Sequence, residues 1–455
     1  MMPMMTLAQN PIISGQFSAD PTARVFNDRM YVYPSHDIDA PADQRQDWFC
    51  MEDYHVFSSE NLTEWTDHGM ILSQTTVPWG NPRGYSMWAP DCVCKDGKYY
   101  FYFPNAPKGG RGFAVGVAIA DAPEGPFRCE PTPIRGVSGI DPCVLMDDDG
   151  SAYLYWSGMG IRGAKLKADM TELDGELTVM QMPRRPQADS TAAALPPMPP
   201  MVIGGQAMEG LPEGFKEGPF AFKQGGHYYL TFPWVRTDGG TETLAYAMSD
   251  NPLGPWTFKG IIMAEHANGC WTNHHSIVQY HGQWYLFYHH NDYSTFDKRR
   301  SVCADSLFFN PDGTIQEVKP TLRGIGVARA TARLQVDRYS AIHPQASIAY
   351  LDTLDKFQGW YTTFSAPQSW VQFNNVDFTP VASARLHLRV LAPKGGKFLI
   401  RQDSSTGPVV AVVKARKSPG WQELTVRTKK LQAGIHHLVV EGLTSGTSVD
   451  WLQFE

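Results

Sequence analysis

Three carboxylic acids, Asp20, Asp141 and Glu217, occupy matching places in a recurring phrase. Each lies 11 or 12 residues before a tyrosine at the centre of an aromatic run: Tyr31, Tyr153 and Tyr229. The same step back from Tyr100 and Tyr285 reaches Trp88 and His274. Prolines follow closely, as Asp20-Pro21, Ala89-Pro90, Asp141-Pro142 and Glu217-Gly218-Pro219, and proline pins the backbone just past the residue of interest. Taken singly, an Asp-Pro pair is an ordinary turn start. Acids gathered in one ring repel one another, and such clusters persist where a proton donor and a proton acceptor are both needed.

The chemistry that uses such a set is cleavage of a glycosidic bond. One carboxylic acid protonates the leaving oxygen while a second carboxylate activates water or attacks directly. The donor must keep its proton near neutral pH, which a neighbouring negative charge promotes by raising its pKa. Three carboxylates supply donor, acceptor and modulator.

Positioning them requires repeated elements. A polar turn followed by Tyr, Phe, Leu and Val recurs at 27–33 (NDRMYVY), 96–102 (DGKYYFY), 149–155 (DGSAYLY), 225–231 (GGHYYLT) and 281–287 (HGQWYLF). Each copy reads as a hairpin. A second phrase follows most copies, clearest at 118–127 (AIADAPEGPF) and 247–256 (AMSDNPLGPW). Two hairpins per repeat make four strands, the pattern of propeller blades. The expected fold is all-β: a five-bladed β-propeller over 10–327, in which the first strand of each blade lines the axis and carries the ring residues. Segment 181–214, rich in Pro, Ala and Met, fits no blade and reads as a long loop, either walling a cleft or passing over the surface. Beyond 327 the phrase stops and alternating strands such as 383–390 (SARLHLRV) and 436–441 (HHLVVE) predict a β-sandwich over 328–455.

The net charge of −7 leaves no basic footprint for nucleic acid. No stretch is apolar enough to span a bilayer. Seven scattered cysteines give no disulfide framework. The first nine residues, MMPMMTLAQ, lack the charged start and full apolar core of a signal peptide. A secreted or periplasmic monomer is the expectation.

The stretches 18–21 (SADP), 88–91 (WAPD), 139–142 (GIDP), 217–219 (EGP) and 273–276 (NHHS) resemble glycoside hydrolase family 43 over all five blades. The resemblance implies an inverting hydrolase with Asp20 as general base, Glu217 as general acid and Asp141 tuning the pKa of Glu217. It implies that His274 sits near the axis, where it holds a calcium ion or water cluster. It implies Trp88 as a sugar-stacking wall, with core filling as the other reading. It implies a substrate-reaching arginine at Arg300, for which a solvated pair with Arg299 is the alternative. His36-Asp37 ends the first aromatic strand, which is expected to place the pair near the cleft. Asp91 falls off the ring and reads as structural. The C-terminal stretches 334–339 (LQVDRY), 369–373 (SWVQF) and 450–451 (DW) resemble a family 6 carbohydrate-binding module. That resemblance implies a structural calcium on Asp337 and Asp450, although Gln335 stands where the family has Glu. Trp360 and Tyr361 are candidate sugar platforms, and Trp421 is read as core. No cofactor is expected for the chemistry. The expected activity is an exo-acting α-L-arabinofuranosidase on plant-wall arabinan or arabinoxylan. The alternatives are a β-xylosidase of the same fold and a non-catalytic glycan-binding propeller.

Overall fold

The computed structural model describes residues 10–158, 160–175, 201–203, 206–208, 211–267 and 269–455. No α-helix occurs among them. They divide into two compact units. One holds Gln16–Ser58 with Thr66–Lys319, and the other is built mainly from Pro320–Glu455.

In the first unit, antiparallel sheets follow one another as blades. Blade I is β1 (Ala19–Phe26), β2 (Arg29–Ser35), β3 (Asp53–Ser59) and β4 (Thr66–Ser73). Blade II is β5 (Asp91–Lys95), β6 (Lys98–Asn105), β7 (Ala114–Ala120) and β8 (Arg128–Cys129). Blade III is β9 (Ile140–Met146), β10 (Ala152–Gly158) and β11 (Gly160–Leu166). A short hairpin, β12 (Met201–Ile203) and β13 (Gln206–Met208), falls in the segment expected to be a loop; most of the rest of 181–214 lies outside the described residues. Blade IV is β14 (Phe215–Lys216), β15 (Phe220–Gln224), β16 (His227–Val235), β17 (Thr243–Ser249) and β18 (Thr257–Met263). Blade V is β19 (His275–Tyr280), β20 (Gln283–His290) and β21 (Ser301–Leu307). Blades III and V thus show three strands, not four, among the described residues. The inner strands touch in the order β1, β5, β9, β15, β19, and β19 also touches β1. This is the five-bladed β-propeller.

Local chemistry explains both repeated phrases. In blades I, II, IV and V the first hairpin turns on a pair of left-handed residues: Asn27-Asp28, Asp96-Gly97, Gly225-Gly226 and His281-Gly282. Such pairs make the tight turns whose twist matches the flanking strands. The aromatic strand then packs between blades and sends a tyrosine hydroxyl to the next blade's outer turn. Tyr33 donates to the Pro123 carbonyl (2.8 Å), Tyr102 to Met170 (2.7 Å), and Tyr155 to Pro252. Buried tyrosines need such acceptors, and Pro123 and Pro252 belong to the second phrase. Asp91, fully buried, binds the Arg24 guanidinium through both oxygens (2.8 and 2.7 Å from Nη2) and accepts the Val144 N–H (2.6 Å). It ties blades I, II and III together and is structural.

The C-terminal unit is a β-sandwich. One sheet pairs β22 (Ala328–Arg329), β24 (Ala341–Ile342), β27 (Ser369–Asp377), β29 (Gly396–Gln402), β30 (Val409–Ala415) and β32 (Ile435–Gly442). The other pairs β23 (Leu334–Gln335), β25 (Ala346–Tyr350), β26 (Trp360–Phe364), β28 (Arg385–Ala392), β31 (Ser418–Arg427) and β33 (Thr447–Phe454). Alternating inward residues, among them Phe373, Leu388, Ile400, Val440 and Leu452, form one core.

Candidate active site

Strand pairing gives a stricter register than counting residues. Tyr31, Tyr100, Tyr153, Tyr229 and Tyr285 pair with Arg24, Val93, Leu145, Phe222 and Val278. Four residues before each partner stand Asp20, Ala89, Asp141, Gly218 and His274. Asp20, Asp141 and His274 are therefore equivalent, whereas Trp88 and Glu217 each enter one residue earlier.

Asp20 and Asp141 share one construction. Both have left-handed backbones (φ 49° and 55°), precede proline, and lie at a register shift in their strand pairing. Such irregularities re-aim a side chain, and aspartate tolerates this conformation better than bulkier residues do. Each then accepts from a serine at the end of the neighbouring strand: Ser35 to Asp20 (2.5 Å) and Ser157 to Asp141 (2.7 Å). In blade IV the left-handed residue before proline is Gly218 (φ 53°), whose N–H donates to Asp141 (3.1 Å) and Ser157 (2.8 Å). A Cβ on Gly218 would lie 3.1 Å from His274 Nδ1, so this glycine gives the ring its close approach.

Every side-chain partner of Asp20 is a donor. Besides Ser35, Arg300 donates Nη1–H to Oδ1 (2.9 Å) and Nη2–H to Oδ2 (3.3 Å). The Asp20 N–H donates to His289 Nδ1 (3.1 Å). That bond requires an unprotonated Nδ1 and leaves Nε2–H to donate to the Thr272 carbonyl (3.1 Å). Burial, reinforced by Arg300, holds His289 well below the usual imidazole range, so it is neutral and its proximity to Asp20 is not an ion pair.

Three other carboxyls are raised above the ordinary carboxylate range. Burial pushes Asp141 up to about 7; His274 works against this and Glu217 adds to it. Glu217 is raised well above the ordinary carboxylate range by burial first and by the Glu242 carboxyl next. Glu242 is itself pushed up to about 8, chiefly by burial, while the Asn273 N–H (2.9 Å to Oε2) pulls it down. The ring thus joins a carboxyl clasped by hydrogen-bond donors, Asp20, to carboxyls whose burial favours the protonated form, Asp141, Glu217 and Glu242.

Sequence reasoning missed Glu242 and His289. Glu242 precedes β17, outside any count along the inner strands. Asp37 was visible only as the neighbour of His36. It is buried and holds Arg300 by three bonds: Arg300 N–H (2.8 Å), Nε–H (2.9 Å) and Nη2–H (2.9 Å). Arg300 also donates to Thr272 Oγ1 (3.3 Å). Its guanidinium groups thus all have protein acceptors and it is 2% exposed. This corrects the surface reading of Arg300, whose donors are all engaged within the protein. It holds the Asp20 and Asp37 carboxyls together. His36 bonds Asp53 (2.7 Å) and none of the ring acids. His274 is partly exposed, while His275 is buried and bonds Thr231 (2.6 Å). Trp88 is partly exposed, packed on Phe113 (4.6 Å between centroids) and Phe49 (6.1 Å); Phe49 also lies 4.8 Å from the Arg300 guanidinium.

Metal fit differs between the units. His274 offers one nitrogen, and calcium takes oxygen ligands; among the described residues it joins no group of three His, Cys, Asp or Glu ligand atoms, so oxygens there would come from water. In the sandwich, Asp337 Oδ1 and Asp450 Oδ1 are buried without hydrogen-bond partners, which fits a calcium ion. Arg389 takes Asp450 Oδ2 (2.6 Å), and Arg338 Nε stands 2.7 Å from Asp337 Oδ2. Trp360 is buried between Tyr350 and Arg338, which rules it out as a bare sugar platform. Tyr361 and Trp421 are partly exposed and lie edge to face (5.3 Å), so Trp421 is not core.

A five-bladed propeller with carboxyls clustered at the inner ends of its blades is an arrangement suited to glycoside hydrolysis. The family model for glycosyl hydrolases family 43 matches residues 8–315, and that for carbohydrate binding module (family 6) matches 353–455. The chain belongs to glycosyl hydrolase family 43. It is 37% identical over 349 residues to xylosidase/arabinosidase 43A of Humicola insolens, covering 68% of this chain and 99% of that one. A solved family 43 β-xylosidase/α-arabinofuranosidase from a compost microbial metagenome, in complex with xylotriose, aligns with TM-score 0.55 and 34% identity over 68% of this chain and 97% of its own. The arabinoxylan arabinofuranohydrolase structure from Bacillus subtilis shares the fold across 99% of both chains, with TM-score 0.54 and 23% identity.

Proposed function

We propose that the enzyme is an inverting exo-glycosidase that releases terminal α-L-arabinofuranose from arabinoxylan- or arabinan-derived chains of the plant wall. The observation that carries the mechanism is the opposed environment of Asp20 and Glu217. Asp20, clasped by Arg300 and Ser35, takes the proton of a water that attacks the anomeric carbon. Glu217, holding its proton beside Glu242, delivers it to the departing oxygen. Asp141 and the Gly218 N–H fix the backbone next to Glu217, and Trp88 offers an apolar wall to the sugar. In the C-terminal module, Asp337 and Asp450 would hold a structural calcium, and Tyr361 with Trp421 would meet glycan.

Terminal β-D-xylose is the second reading. It is favoured by the combined names of the relatives that align over two thirds of the chain. Aryl α-L-arabinofuranoside and aryl β-D-xylopyranoside, assayed with wild type and Glu217→Gln, separate the two. Faster turnover of the xyloside makes the second reading the primary one. Activity on neither, or an unchanged rate in the variant, removes the hydrolase assignment of these residues. Proton NMR of the first-formed anomer tests inversion, which a retained configuration would exclude.

A further inference from the structure

We infer that His36, Asp53 and His55 form a site for a zinc-class divalent ion on blade I, separate from the catalytic acids. His36 follows the last residue of β2, while Asp53 and His55 are alternate residues at the start of β3 and so share a face. One ligand atom from each lies within 4.8 Å of the others, and this is the single such group among the described residues. His36 Nδ1 is 2.7 Å from Asp53 Oδ1, and the two imidazole rings lie 5.5 Å apart at 68°. Zinc bonds to nitrogen and oxygen are about 2.0–2.2 Å, which places tetrahedral donors about 3.4 Å apart. The observed spacings bracket that value, so small side-chain rotations suffice.

The donor chemistry selects the ion. Two imidazoles and one carboxylate suit zinc and its neighbours, not the all-oxygen shells of calcium or magnesium. His55 has the supporting carboxylate that metal-binding histidines usually have. Asp67 Oδ1 lies 3.2 Å from His55 Nδ1 and is itself fixed by the Gly69 N–H at 2.7 Å. A donor bond from Nδ1–H to Asp67 leaves the His55 Nε2 lone pair for a metal. The three side chains are 20%, 15% and 19% exposed, so an ion has a path in. Three other histidine–aspartate pairs, His227–Asp250, His281–Asp28 and His436–Asp403, each lack a third ligand of this kind.

The test uses the untagged full chain stripped with chelator and dialysed. Calorimetric titration with zinc is expected to show one saturable site per chain, and cobalt substitution to give the visible absorption of a low-coordinate protein-bound ion. His36→Gln with His55→Gln is expected to abolish both, and Asp67→Asn to weaken zinc binding by about tenfold or more. No stoichiometric zinc, or the same site in the double variant, overturns the inference. Thermal melts of the variants separate loss of ligands from loss of fold: a normal melt with lost binding supports the site. Should the double variant not fold, Asp67→Asn decides alone, and unchanged affinity there overturns it.

Discussion

Glu242→Gln is the substitution whose outcome most directly probes how the proton donor is tuned. Glu242 is 1% exposed; its Oε2 accepts the Asn273 N–H, and its carboxyl also interacts directly with that of Glu217. It is the foremost charged influence raising Glu217. Glutamine keeps the shape and the Asn273 bond but cannot become negative. A full charge about 4 Å away at an effective permittivity of about 20 contributes about 4 kcal/mol, an upper limit near three pKa units. Glu242 is itself held at about 8 and is only partly ionised near neutrality, so the expected shift is about one unit. The sign follows from the role. The donor must be protonated, so its pKa sets the alkaline limb of kcat/KM. Removing a neighbouring negative charge lowers that pKa, and the alkaline limb should move to lower pH by about one unit. The assay is the pH profile of kcat/KM on an aryl glycoside, with the melting temperature as a control for fold. An alkaline limb that stays in place or moves upward in a folded variant would refute the argument.

Asp141→Asn should be more stable than wild type at high pH. The carboxyl titrates near 3.8 unfolded and near 7 folded, so the stability from its retained proton is present below about pH 4 and lost as pH rises through about 7. Asparagine gains across that window by at most about 4 kcal/mol, the product of about three units and 1.36; a stability difference between the proteins that is the same at pH 4.5 and 8 would contradict this. Arg300→Lys cannot bridge Asp20 and Asp37 together, and leaving a buried carboxylate unpaired should cost about 3–5 kcal/mol, with kcat falling more than KM changes; wild-type kcat and melting would rule out the clamp. Gly139→Ala places a Cβ 1.9 Å from the Ser157 carbonyl oxygen at φ 145°, displacing the serine that holds Asp141; a loss of about 3 kcal/mol, or about 6 °C or more in Tm, is expected, and an unchanged Tm would count against it. Chelator should lower the melting temperature of the C-terminal module if calcium bridges Asp337 and Asp450; indifference would mean that Arg338 and Arg389 alone neutralise the pair.

The blades were legible in the sequence because their chemistry is local. A left-handed pair such as Asp96-Gly97 marks a tight turn wherever it occurs, and the aromatic run after it needs no distant partner to be recognised. What links one blade to the next was less visible. The bond from Tyr33 to Pro123 explains why the second phrase carries its prolines, but it joins residues 90 apart. Among the described residues, blades III and V show three strands each, and their outer segments make isolated bridges, Leu166 with Leu173 and Phe309 with Ile315. The sandwich showed itself through alternation. Its aromatics were harder to sort, because Trp360 and Trp421 differ in exposure only through their neighbours.

The site was legible where the inner strand alone decides it and obscure where a second element intervenes. Asp20, Asp141 and His274 fall in register because each is set by its own blade's first hairpin. Glu217 does not share that register, since the equivalent residue is Gly218. This offset has a chemical consequence. The two aspartates are built alike, each on a left-handed residue and each bonded to a neighbouring serine. A donor built the same way would present its carboxyl as they do. The proposed inversion needs water and the leaving group on opposite faces of the sugar, so on that proposal base and donor must approach differently. A longer side chain entering one residue earlier, ahead of a glycine whose N–H is given to Asp141, supplies a different approach. Placing the acid on the glycine's own position would also set a Cβ against Pro233 at 2.9 Å. The departure from exact repetition at Glu217-Gly218 is therefore what allows a symmetric ring of blades to hold an asymmetric acid–base pair.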